Sequence, residues 1–205
     1  MPLLPQHPIL HESFARIDRE MGSHDFAPEA YAILRRIIHT TADFEFAQTL
    51  HIAPGAIATG IQALQAKTPI VVDVGMVRQG CQGMVQRTFN NPLYTAVDLA
   101  TVADPDRTRT ETGLLRALEQ WPEAIYVIGN APTALHALCD RLAASPVKPP
   151  LIVGVPVGFV GVLEAKSALA ELAVPQIRVN GRKGGSTVAA AIVNALLVLA
   201  WEAQP

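Results

Sequence analysis

Cysteine is scarce, and the two residues present, Cys81 and Cys139, stand far apart and share no CxxC spacing. That pattern offers no metal-ligand set and implies a reduced, cytoplasmic protein. Charge is scarce as well: 17% of residues are charged against 50% apolar, so symmetry mates or ligand are expected to cover much of the surface. An excess of positive charge is missing. The formal net charge of −2 leaves no basic face and excludes a nucleic-acid partner. A membrane span is missing too, because the most apolar run, Val188–Trp201, falls short of the roughly 20 residues needed and carries Asn194. It reads instead as a buried helix and a candidate subunit contact. Met1–Leu10 lacks the basic-then-apolar order of a signal peptide. With no internal repeat and no low-complexity linker, residues 1–205 are expected to form a single domain.

Two periodicities organise what is present. Helical spacing comes first, over His7–Met21, Pro28–Thr41 and Gly55–Lys67. From Pro69 onward, β-branched runs alternate with helical stretches. Strands are expected after Pro69 and at Tyr94–Asp98, Ala124–Asn130, Leu151–Val155 and Gln176–Asn180. Helices are expected at Thr110–Trp121, Ala131–Ala143, Val162–Leu172 and Ser186–Trp201. The alternation predicts an α/β fold: a three-layer α/β/α arrangement with a mainly parallel sheet of about five strands, preceded by an N-terminal helical layer. Ligands of such sheets bind beyond the carboxyl ends of the strands, where Asp73, Asn130 and the Asn180–Ser186 loop fall. Arg78–Pro92, rich in Gly, Gln and Asn, shows no clear period and reads as a flexible cover.

The strongest local signal is Gly181-Arg-Lys-Gly-Gly-Ser-Thr187, which opens the last helix. Its glycines let the backbone turn tightly and expose N–H groups at the positive end of a helix, beside two cations. A nucleoside-triphosphate loop needs four residues between its first glycine and the Gly-Lys pair, and that spacing is absent. Lys183, Gly184, Gly185 and Ser186 therefore form a candidate anion cradle.

Of six histidines, His39 is singled out by its neighbours Arg35, Arg36 and Asp43. Arg36, three residues away, shares its helix face. An imidazole titrates near neutral pH and so can give or take a proton, although the same spacing fits a surface histidine with salt partners. His7 and His11 stand four apart but lack a third ligand, and no metal site is predicted. His24, His51 and His136 read as structural or exposed. Twelve arginines against four lysines favour bidentate grip on carboxylates, though a GC-rich genome would produce the same bias.

Four separated motifs, Arg35–Asp43, Val127–Leu135, Pro156–Lys166 and Gly181–Asn194, together resemble the precorrin-8X methylmutase family of vitamin B12 biosynthesis. His7-Pro-Ile, Ser13-Phe and Asp73-Val-Gly-Met-Val77 fit the same pattern. The resemblance implies an isomerase that moves a methyl group from C-11 to C-12 of a contracted tetrapyrrole, giving hydrogenobyrinate, or cobyrinate when cobalt already occupies the ring. It implies no external cofactor and a homodimer with the site near the subunit interface. By resemblance His39 would be the catalytic acid/base, Ser13 and Arg36 would contact substrate, and Arg109 would match the family's Thr-Arg pair. The cradle would then hold a carboxylate arm of the substrate.

Two segments depart from the family pattern: Cys81-Gln82-Gly83, leading to Asn90-Asn91-Pro92, and Thr110-Glu111-Thr112. Glu111 would bring negative charge to a polyanionic substrate if it pointed inward. The alternative function is a corrinoid carrier that binds product without reacting it. No residue records whether the ring carries cobalt.

Overall fold

The structure, a computed structural model, describes residues 7–204; Met1–Gln6 of the stretch read against a signal peptide lies outside them. Helices α1 (Pro8–Met21), α2 (Pro28–Thr41) and the short α3 (Phe46–Thr49) lead into strand β1 (Leu50–Ile52). Then come α4 (Ala56–Gln65), β2 (Ile70–Val72), α5 (Gly75–Arg87), β3 (Leu93–Thr95) and α6 (Arg109–Gln120). The chain closes with β4 (Ile125–Ile128), α7 (Pro132–Ala143), β5 (Ile152–Gly154), α8 (Val162–Glu171), β6 (Gln176–Val179) and α9 (Ser186–Glu202).

The strands form one six-stranded sheet in the order β1-β6-β5-β4-β2-β3. Every pairing is parallel except β1 with β6, where Leu50 faces Val179 and Ile52 faces Ile177. Side chains alternate between the faces with the period of two that a pleated strand imposes. Ile70, Val72, Ile125, Val127, Val153 and Ile177 enter one core with α2, α4, α5 and α9. Val71, Tyr126, Ile128 and Ile152 enter the other with α6, α7 and α8. Burial on both faces explains why the strands read as continuous apolar runs. Helix α9 is apolar nearly all round because it lies between the sheet and α2, α4 and α5.

The predicted three-layer α/β/α class stands, with three corrections. The sheet gains β1, an antiparallel edge too short to show a period. The strand expected at Tyr94–Asp98 is Leu93–Thr95, followed by a 3-10 turn at Ala96–Leu99. Most of the supposed flexible cover is helix α5. Gly80 serves close packing: a Cβ there would lie 2.6 Å from the Ala190 Cβ of α9. The Asn194 side chain of α9 donates to the Gly80 carbonyl at 2.9 Å, holding the two helices together. The polar residues Gln79, Gln82 and Arg87 lie on the outward side, so glycine and glutamine disguised an amphipathic helix.

Candidate active site

Chain connections reverse direction between β2 and β4, since β2 leads outward to β3 whereas β4 leads the other way to β5. Such a switch point ordinarily opens a ligand crevice at the carboxyl ends of the strands. Here Asp73 closes it. Its buried carboxylate accepts from the N–H groups of Val74 (3.0 Å), Gly129 (3.2 Å), Asn130 (2.6 Å) and Ala131 (2.9 Å). Desolvation pushes its pKa up, and the four N–H donors pull the other way. Asp73 therefore ties two strand ends together, and the open chemistry stands on the elements above and beside it.

One such element is the end of α2. Helices α1 and α2 pack antiparallel, fixed by the Arg35–Asp18 ion pair (3.0 Å) and the Tyr31 hydroxyl donating to Asp18 (2.7 Å). Arg35 also lies over the Phe14 ring, 4.4 Å from its centroid. This packing brings Ser13 of α1 to His39 of α2, with Ser13 Oγ and His39 Nδ1 2.7 Å apart. Phe14 meets the imidazole edge-on at 5.5 Å. One ring nitrogen is thus held and oriented, while the exposed ring leaves Nε2 free for another partner. Desolvation, then the nearby Arg36 guanidinium, lower the pKa of His39 below the usual imidazole value. A cleft of about 440 Å³ opens beside it, lined by Phe14, Asp18, Arg35, Arg36, Leu199 and Glu202. His39 stands outside this cleft, beyond the Phe14 ring.

The second element is the loop from β6 to α9. Gly184 sits at φ +148, and a Cβ there would fall 2.2 Å from the Val155 carbonyl oxygen, so only glycine fits. The next N–H, that of Gly185, donates to the same oxygen at 2.8 Å. The loop is therefore laid directly on the end of β5. Lys183 reaches the turn after α2, where its ammonium pairs with Asp43 and Glu45 at 2.6 Å each. Those bonds join the Gly-rich loop to the segment carrying His39, and they neutralise a cation that sequence alone leaves free. They also lower the pKa of Asp43 and raise that of Lys183.

Arg109 lies toward the other end of the carboxyl edge, in the first turn of α6, donating to the Val97 carbonyl at 3.3 Å. Thr108 and Glu111 form a capping box around it, and Glu111 also pairs with Arg107 at 3.5 Å. The negative charge of Glu111 is thereby occupied in closing the helix end. Among the other histidines, His7 caps α1, His24 stacks on Tyr31 and His136 pairs with Asp140. Among the described residues, no group of three His, Cys, Asp or Glu is placed to hold a metal ion.

The structure thus brings Ser13, Arg36 and His39 to one helix pair and joins Lys183, Gly184, Gly185 and Ser186 to it through Asp43. Arg109 remains across the sheet edge. Sequence reasoning missed the roles of Phe14, Asp18 and Lys166. A signal existed for the last: Lys166 stands in the stripe Val162, Ala165, Leu169 that α8 buries, where a lysine is out of place.

The family model for precorrin-8X methylmutase matches residues 8–199. The chain belongs to the precorrin-8X methylmutase family. A cobalt-precorrin-8 methylmutase of Synechocystis sp. is 60% identical to it over 96% of this chain and 97% of the relative. A precorrin-8X methylmutase of Pseudomonas aeruginosa is 40% identical over 92% and 93%. The precorrin-8X methyl mutase of Thermus thermophilus superposes with a TM-score of 0.86 at 40% identity, covering 96% of this chain and 98% of that one. The protein is accordingly an enzyme, an isomerase of the methylmutase kind.

Proposed function

We propose that residues 1–205 form one catalytic domain that shifts a methyl group from C-11 to C-12 of precorrin-8X or its cobalt form, with His39 as the acid/base. The observation that carries this reading is the 2.7 Å contact between Ser13 and His39 at an exposed imidazole. Ser13 fixes the ring through Nδ1, and Nε2 gives or takes one proton at a macrocycle nitrogen. A migration within one molecule requires no nucleophile and no hydride carrier. It requires a held ring and a placed proton. Arg36, Arg109 and the cradle of Lys183, Gly184, Gly185 and Ser186 suit the carboxylate arms, and no cofactor enters the reaction. The 60% identity to a protein named for the cobalt form supports a cobalt-bearing ring, the metal arriving as part of the substrate.

Exposed apolar side chains gather on the same edge: Phe159 (86% exposed) and Val160 (88%) near the Gly-rich loop, and Met76 (70%) after β2. We infer that a second copy of the chain covers them and supplies the wall that the exposed His39 lacks. Size-exclusion chromatography is expected to give twice the monomer mass, and a stable monomer would sink this part of the reading. The two buried free thiols fit a cytoplasmic enzyme.

The chemical step is tested by following the visible spectrum of purified protein with precorrin-8X and with its cobalt form. His39→Ala is expected to slow conversion by about 10²–10⁴-fold while product binding persists. Equal conversion by wild type and variant removes His39 from the mechanism. Binding without conversion by the wild type makes the protein a carrier.

A further inference from the structure

Lys166 is the one buried lysine among the described residues, 4% exposed, and no step above uses it. It rises from α8 on the far side of the sheet from α2 and α9, and its ammonium passes under the Gly-rich loop. There it donates to the carbonyl oxygens of Gly181 at 2.8 Å and Lys183 at 2.7 Å. Burial lowers its pKa to about 8. Among the described residues no carboxylate pairs with it, so the loop carbonyls hold the charge.

The planarity of the peptide unit gives those two bonds a consequence. In a trans peptide the carbonyl of one residue and the N–H of the next point in opposite directions. With the Gly181 and Lys183 carbonyls drawn down to Lys166, the N–H groups of Arg182 and Gly184 are turned away from α8. Among the described residues neither N–H meets an acceptor, whereas neighbouring groups of the loop are engaged: the Arg182 carbonyl accepts from Gly158 at 3.4 Å, and the Gly185 N–H donates to Val155. Two free donors, two residues apart, are what a carboxylate with two oxygens requires.

We propose that Lys166 is a positioning residue for substrate binding: by gripping the carbonyls of Gly181 and Lys183 it presents the Arg182 and Gly184 N–H groups to a carboxylate arm of the tetrapyrrole. This rests on the methylmutase reading and names the donors of the cradle. The division of labour within the loop also changes. Lys183, paired with Asp43 and Glu45, braces the loop, and its backbone neighbours bind.

Two measurements test it. The first compares Lys166→Met, which keeps the chain length but removes the donors, with Lys166→Arg, which keeps donors and charge. Lys166→Met is expected to raise KM by about tenfold, the worth of a charge-assisted hydrogen bond, with kcat within about threefold of wild type. Lys166→Arg recovers part of that affinity. An unchanged KM in Lys166→Met, or a fall in kcat as large as the rise in KM with a lowered Tm in both variants, overturns the proposal. The second measurement needs no variant, so it stands even if Lys166→Met fails to fold. Adding hydrogenobyrinate to the wild type is expected to shift the amide proton resonances of Arg182 and Gly184 downfield while that of Gly185 stays in place. Equal or absent shifts in all three while product binds reject the inference alone. A wild type that neither binds product nor converts substrate rejects the methylmutase reading beneath it.

Discussion

His39 and the Gly-rich loop meet at one edge of the sheet, yet they are held in opposite ways. The loop is fixed from three sides: by the Val155 carbonyl beneath it, by Lys166 from α8, and by Asp43 and Glu45 through Lys183. His39 has one hydrogen bond, to Ser13, and an exposed ring. On the function proposed above, the difference separates two tasks. A binding group gains from being locked before substrate arrives, because no ordering entropy is then lost on binding. A proton-transfer group needs a free nitrogen facing the reacting atoms and a pKa near the working pH. Substitutions at the two places are therefore expected to fail differently.

The largest effect falls on turnover. His39→Ala, with its expected loss of about 10²–10⁴-fold in conversion, leaves the loop intact and product binding close to wild type. The loop gives the reverse pattern. Gly184→Ala forces an L-residue to φ +148 and sets a Cβ against the Val155 oxygen. Strain of that kind costs about 1–3 kcal/mol, so denaturant unfolding should show a lower midpoint at an unchanged slope. KM should rise with it, because the Gly184 N–H is displaced. If Gly184→Ala lowers kcat alone, or His39→Ala abolishes binding, the separation of holding from reacting is wrong.

How much of this was legible in the sequence follows from the range of the interactions. The alternation of apolar runs and helical stripes identified the layers, because burial on both sheet faces writes itself into consecutive residues. Helix α5 was hidden because Gly80 and Asn194 make sense only against each other, and they lie far apart in the chain. Strand β1 was hidden because three residues cannot establish a period. At the site, His39 with Arg36 was readable as one helix face, and the Gly-rich loop as a turn into a helix. Lys183 was read as a free cation because Asp43 and Glu45, its partners, are remote in sequence. Lys166 was overlooked for the same reason: its acceptors are backbone carbonyls, which no residue type announces.

The smallest effect bears on the sense of the proton transfer. Arg36 lowers the pKa of His39, second to desolvation, so replacing it with the neutral Arg36→Gln is expected to raise that pKa toward the ordinary imidazole value. NMR titration of the His39 ring in the free protein reads the shift directly, and an unmoved titration removes Arg36 from the electrostatics of the site. The sign of the accompanying change in kcat at saturating substrate then decides between two roles. A higher pKa populates the imidazolium at higher pH. If His39 works as an acid, the pH above which kcat declines moves up in the variant. If it works as a base, the pH below which kcat declines moves up instead, and turnover near neutrality falls. Saturation matters because Arg36 is also a candidate substrate contact: its loss raises KM whichever role His39 has, and only kcat separates the two.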